Sequence, residues 1–198
     1  MKILDFGCGH KKISVKGATV VGVDLSENAD VQHNLNNFPY PFADNEFDQV
    51  NVAHVIEHLD DLPKVIRELH RITKANGLIR IRAPHFSSWA AWIDPTHKRG
   101  VCSSTFDYFH PDNNYNGNAQ FRGMGLVAVK KRLRWAGSMG TSSQNIAIKA
   151  FGKIVDAVAN ANVKFCERFW CYWVGGFGEV DILLKVVKTK NGKKNKRK

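Results

Sequence analysis

Two short apolar runs, Lys2–Phe6 and Ala18–Leu25, the second rich in β-branched residues, stand only about ten residues apart, and the first runs into Asp5-Phe-Gly-Cys-Gly9. Runs of this kind read as buried strands. A connection that short is barely the minimum for a crossover that carries a helix. The first crossover is therefore expected to be a loop or a single turn, and the strands it joins to be parallel. The next stretch, Ser26 to Ala43, is polar and proline-bearing (NLNNFPYPFAD), so the second crossover also looks poor in helix.

Further along, Glu46–His54 reads as a third strand. Leu62, Val65, Ile66, Leu69 and Ile72 then repeat at three and four residues, which predicts a helix with one packed face. Asp60 or Asp61 is placed to cap its start and Asn76-Gly77 to end it. Leu78–Pro84 predicts a fourth strand in which Arg80 and Arg82 alternate with isoleucines, so one face is covered and the other partly wet. After Pro84 comes a long aromatic segment, 86–118, read as a lid because structureless loops of that length inside a domain are usually functional. A strand is expected within 121–135, a helical insertion over 149–173, and a last strand over Glu179–Val187. Together these make an α/β domain over residues 1–188, parallel in its first half with an antiparallel edge at the end.

The charge of +11 resolves into two parts. Eight basic residues and no acid lie between Lys185 and Lys198, leaving 21 basic against 18 acidic residues elsewhere. Residues 189–198 thus read as a disordered basic tail, with weak contact to an anionic surface as one use for it. Cys8, Cys102, Cys166 and Cys171 never form C-x-x-C, so no metal site and no disulfide framework is expected. With no apolar span and no leader pattern, the expected location is cytoplasmic.

The turn after the first strand narrows the ligand. A phosphate-cradling G-x-x-x-x-G-K-[ST] loop fails because Lys12 stands where its second glycine belongs, and G-x-G-x-x-G fails at the same residue. What remains is D-x-G-x-G at the carboxyl end of a strand, where ligands of open parallel sheets bind. Asp24 ends the second strand, and a carboxylate there suits a ribose with both hydroxyls free.

In register, ILDFGCG, VVGVDLS, NLNNFPYPFADNEFDQVNVAHVIEHL and VIRELHRITKANGLIRIRAPH resemble the class I S-adenosylmethionine-dependent methyltransferases, in particular the type-11 methyltransferase-domain group, over roughly residues 2 to 86. The resemblance implies a Rossmann-like, mostly parallel sheet of the seven-stranded type, and S-adenosylmethionine as cofactor. It implies that Gly7, Cys8 and Gly9 bring backbone close to the methionine part, with Asp5 favouring its ammonium. Asp24 and Leu25 would flank the ribose, and Asn34 and Leu35 the adenine. His54 and His85, at adjacent strand ends, and His97 in the lid are the candidate catalytic bases. His58, Trp89, Trp92, Asp94 and Arg99 are the candidate acceptor-binding residues.

The acceptor class expected is a small molecule, lipid or sugar. Lys130, Lys131, Arg132, Arg134 and the tail motivate an alternative RNA or DNA acceptor, against which no N-P-P-Y-like tetrad for a flipped base is present. A third possibility is a protein of this fold that binds cofactor or a partner without turnover.

Overall fold

The computed structural model describes residues 1–112, 121, 124–135 and 146–188. Its centre is a seven-stranded sheet in the order β3-β2-β1-β4-β5-β7-β6. The strands are β1 (Lys2–Phe6), β2 (Thr19–Asp24), β3 (Val31–Gln32), β4 (Phe47–Ala53), β5 (Thr73–Pro84), β6 (Leu126–Trp135) and β7 (Phe177–Val186). The first five pair in parallel, and β7 enters between β5 and β6, antiparallel to both. The order reverses at β1 and β4, so the carboxyl ends of these two strands open the crevice where such sheets take ligands.

Neither early crossover holds a helix among the described residues. Side chains hold the first one instead. The buried Asp5 carboxylate accepts from Ile13 N–H at 2.9 Å and from Asn51 Nδ2 at 2.8 Å. Asp30 accepts from Gly22 N–H and pairs with Lys12 at 2.7 Å. With few helices on that side, part of the sheet face meets water, and the residues there are ones that tolerate it. Gln49, Arg80, Lys130, Arg132 and Asp181, with Leu78 and Leu183, line a shallow groove of 340 Å³. Arg80 and Arg82 thus belong to an internal strand with a wet face.

The opposite face is covered by α1 (Leu62–Ile72), which buries Val65, Ile66, Leu69 and Ile72, the stripe expected from the sequence. Asp61 caps it by accepting from Lys64 N–H at 3.0 Å. The helix ends four residues earlier than Asn76-Gly77 suggested. Thr73 pairs with Phe47 to start β5, and the register then shifts before Gln49 meets Leu78. Asn76 (φ 64°) lies in the extra residues, and a Cβ on Gly77 would sit 2.9 Å from Asp48 O. That glycine serves a bulge, where the backbone needs room, rather than a helix end.

The helical insertion begins earlier than expected and is broken into α2 (Ile146–Ala161), α3 (Val163–Arg168) and α4 (Trp170–Trp173). Asn162 stops α2 and caps α3, accepting from Phe165 N–H at 3.0 Å. The lid carries two short 3-10 turns, Trp89–Ala91 and Thr105–Phe109. The 113–118 part of the lid and the 189–198 tail lie outside the described residues.

Candidate active site

At the mouth of β1, Gly7 (φ 73°) and Gly9 (φ 57°) turn the chain with left-handed torsions that only glycine adopts freely. A Cβ on Gly7 would lie 2.1 Å from Val55 Cγ2, so glycine is required there on steric grounds as well. A Cβ on Gly9 would meet nothing within 4 Å, which makes Gly9 the open side of the cradle. Asp24 faces the same turn, accepting from Gly9 N–H at 2.9 Å and from Ser26 N–H at 3.0 Å. A carboxylate offers about four acceptor positions, so this half-buried group retains capacity for two ribose hydroxyls. The cradle therefore fits an adenosyl cofactor.

Around that turn the other expected cofactor residues divide. Leu25 is exposed beside Asp24, and Asn34 is exposed with its amide oxygen accepting from Asn36 N–H. Asp5 and Leu35 depart from the expectation for plain causes. Asp5 is buried with both oxygens committed to Asn51 and Ile13, so it holds the helix-free crossover rather than meeting a ligand ammonium. Leu35 packs into the core under Tyr40, whose hydroxyl donates to its carbonyl at 3.0 Å. Cys8 is half-buried, and burial with the nearby Asp24 and Asp5 charges pushes its thiol up, away from the reactive thiolate.

The expected bases are also rearranged. His85 is fully buried, and both ring nitrogens are taken. Nδ1 meets Ser87 Oγ at 2.8 Å and Nε2 meets Glu167 at 3.0 Å. It cannot line an open floor. His54 does face the crevice, half-exposed at the end of β4 with φ 55°, a torsion unusual for a side-chain-bearing residue. Its Nε2 lies 2.8 Å from Glu179 and its Nδ1 is 3.7 Å from Glu57. Those two carboxylates, Glu179 foremost, raise its pKa to about 9, so at neutral pH the ring carries a proton and is no free base.

The lid returns to the β4 end through three consecutive residues. Lys98 N–H donates to Glu57 O at 2.8 Å, and the Lys98 ammonium pairs with Asp60. The Arg99 guanidinium donates to the carbonyls of Ile56, Leu59 and Asp60 at 2.6–3.0 Å. Arg99 is thus a brace for the 54–60 turn and not a free acceptor ligand. This bracing brings His97 onto His58, ring centroids 4.6 Å apart. Trp89 and Trp92 stand exposed beside them, with Trp92 Nε1 donating to Phe86 O at 2.9 Å.

A cleft of 600 Å³ lies between the start of α1, the second lid turn and α3, lined among others by Leu62, Pro63, Tyr108, Phe109, Phe121 and Arg168. Its volume falls in the range of small-molecule sites. Sequence reasoning missed the three buried glutamates that organise this region. Glu167 and Glu179 reach His85 and His54 from 82 and 125 residues away. Glu57, the third, is buried three residues beyond His54.

The sheet order and the Gly7–Asp24 turn can be set beside known proteins. Residues 4–81 match the methyltransferase-domain family model. A demethylmenaquinone methyltransferase of Desulfitobacterium hafniense is 32% identical over 40% of this chain and 40% of its own length. The one of Corynebacterium efficiens is 30% identical over 44% of this chain and 42% of its own. The chain thus spans about two fifths of the length of these curated relatives. A solved SAM-dependent methyltransferase from Archaeoglobus fulgidus shares the fold with a TM-score of 0.58, at 19% identity over 93% of this chain and 85% of that one. Residues 4–81 therefore resemble a methyltransferase domain, and the chain shares the fold of that solved methyltransferase.

Proposed function

We propose that this protein transfers a methyl group from S-adenosylmethionine to a small apolar or lipid acceptor. The observation that carries the reading is the cradle at the switch point, left-handed glycines at 7 and 9 facing the Asp24 carboxylate. When bound, the cofactor supplies an activated methyl on a sulfonium, so the protein's task is alignment and exclusion of water. Asp24 would hold the ribose hydroxyls, and the turn at Gly7 to Gly9 would bring backbone against the methionine part. Trp89, Trp92 and the lid turns would cover the reacting end and favour transfer over hydrolysis.

Support for a small acceptor comes from the size of the 600 Å³ cleft, whose Leu62, Pro63, Phe109 and Phe121 offer an apolar side beside the charged Asp107, Lys164, Glu167 and Arg168, and from the names of the relatives. The basic groups at 80 and 130–134 argue less for nucleic acid than their number suggests. Arg80 pairs with Asp181 at 2.5 Å, Arg134 with Glu179 at 2.8 Å and Lys131 with Asp107 at 2.6 Å. The test is transfer of labelled methyl to demethylmenaquinone in detergent, to glycans and to RNA. Label in the quinone fraction is expected. Label confined to RNA, with transfer falling steeply as salt rises, would overturn the acceptor class.

The aromatic surface of α3 and α4 suggests where such an acceptor is met. Phe165, Phe169, Trp170, Tyr172 and Trp173 are exposed, Trp173 by 86%. Lys153, Lys164 and Arg168 flank them, while both acids of the helical segment turn inward, Asp156 to Trp135 N–H and Glu167 to His85 and Ser103. Aromatic groups rimmed by cations suit an anionic bilayer surface. No helix among the described residues is long and apolar enough to cross one. Co-sedimentation with phosphatidylglycerol vesicles is expected, weakened in Trp170→Ala/Trp173→Ala. Equal recovery of both proteins would dismiss this surface.

A further inference from the structure

We infer that Glu57, His58 and His97 form a binding site for a divalent transition-metal ion, a site the cysteine-based reading of the sequence did not anticipate. One ligand atom from each of the three lies within 4.8 Å of the other two. Two imidazoles and one carboxylate are a donor set that zinc and its neighbours in the first row accept, with coordination positions left over.

The second observation is Glu57 itself. Its side chain is 1% exposed, and neither carboxylate oxygen has a hydrogen-bond partner among the described residues. The ion pair to His54, at 3.7 Å, is too long for a hydrogen bond. A buried carboxylate in that condition is costly unless its oxygens meet a donor or a ligand partner, and the protonated His54 offers charge at 3.7 Å but no bond to them. A metal shared with the two histidines supplies such a bond.

The third is the outer hydrogen bonding, which fixes both rings in the ligating form. Thr96 Oγ1 spends its hydrogen on Asp94 Oδ1 at 2.7 Å, so toward His58 Nδ1, 2.9 Å away, it can only accept. His97 Nδ1 faces the Ala91 carbonyl at 3.2 Å, which likewise can only accept. Both Nδ1 atoms therefore carry hydrogen in the neutral rings, and both Nε2 atoms keep a lone pair. This is the second-sphere pattern of metal-binding histidines. Asp94, whose Oδ2 is 3.8 Å from His97 Nε2, stands close enough to add a carboxylate oxygen to the set. Ligands bound at about 2.1 Å around a tetrahedral ion sit about 3.4 Å apart, so closure needs a movement of about 1 Å. Rotation of the two imidazoles, neither of them fully buried, supplies it.

The site follows β4, on the turn that Lys98 and Arg99 brace, next to the crevice. An ion there with open positions would draw an oxygen of the acceptor toward the cofactor, a role that rests on the methyltransferase reading. The ion site itself does not. The test uses full-length protein stripped with chelator, titrated with Zn(II) by calorimetry and with Co(II) by visible absorption. S-adenosylhomocysteine affinity is measured on the same samples, so that failure of the cofactor reading shows separately. One equivalent of metal is expected, with Co(II) d–d bands and no thiolate charge-transfer band. His58→Ala and His97→Ala should each weaken binding by more than about 100-fold, and Thr96→Val by about 10- to 100-fold, with melting curves confirming folded protein. Absence of stoichiometric binding, equal affinity in the two histidine variants, or a thiolate band would overturn the site.

Discussion

Replacing Glu167 by alanine is expected to lower the melting temperature by roughly 6–20 °C, the largest stability effect of any single substitution outside the apolar core. Glu167 is 7% exposed and accepts three hydrogen bonds, from Ser103 N–H at 2.7 Å, Ser103 Oγ at 2.6 Å and His85 Nε2 at 3.0 Å. These bonds join α3 to the lid and to the end of β5. Truncation leaves His85 Nε2 and the Ser103 hydroxyl and N–H buried without these partners, a loss of about 3–5 kcal/mol for a group in such a network. Burial alone pushes the Glu167 carboxyl up, but the bonds from His85 and Ser103 outweigh it and leave the group below its ordinary value. A carboxyl depressed in the folded state contributes its full stability above the unfolded pKa, about 4.3, and loses it as pH falls through the lower folded value. Wild-type stability should therefore drop on acidification below about pH 4–5, and Glu167→Gln should show a shallower drop. Melting curves across that range, equally steep for both proteins, would show that Glu167 carries no such charge in the fold.

Asp24→Ala should weaken S-adenosylhomocysteine binding by on the order of 2–4 kcal/mol, or about 30- to 1000-fold, because charge-assisted bonds to both ribose hydroxyls disappear. The same change frees Gly9 and Ser26 N–H, so part of the loss reflects a looser cradle. Asp24→Asn separates the contributions, since the amide oxygen still accepts while the charge is gone. An affinity between wild type and the alanine variant is expected by calorimetry. If Asp24→Ala binds as wild type does, the ribose is not held at the end of β2 and the cofactor assignment of the cradle fails.

How far the site was legible in the chain depends on how local each contact is. The turn at Gly7 and Gly9, with Asp24 facing it, is readable because a tight turn at a strand end needs glycine and the second apolar run stops at an acid. The α1 stripe from Val65 to Ile72 and the wet face at Arg80 and Arg82 are readable because periodicity records which side is covered. The helix end was misplaced because the β5 bulge pairs Thr73 with Phe47, a partner 26 residues away. Asp5, Leu35 and Arg99 were expected to touch ligands. Each has its polar or apolar contacts satisfied by the protein itself, which only packing reveals.

The sequence by itself determined the order of elements, the missing early helices and the glycine turn at the end of β1, since these follow from local patterns of apolar, glycine and acidic residues. The tertiary structure alone decided the state of the histidines. His54 became a proton-holding partner of Glu179, His85 a buried strut against Glu167, and His97 a neighbour of His58 and Glu57. The reason is electrostatic and long-range: what an imidazole does depends on which carboxylates or carbonyls meet its two nitrogens, and here those groups arrive from up to 125 residues away.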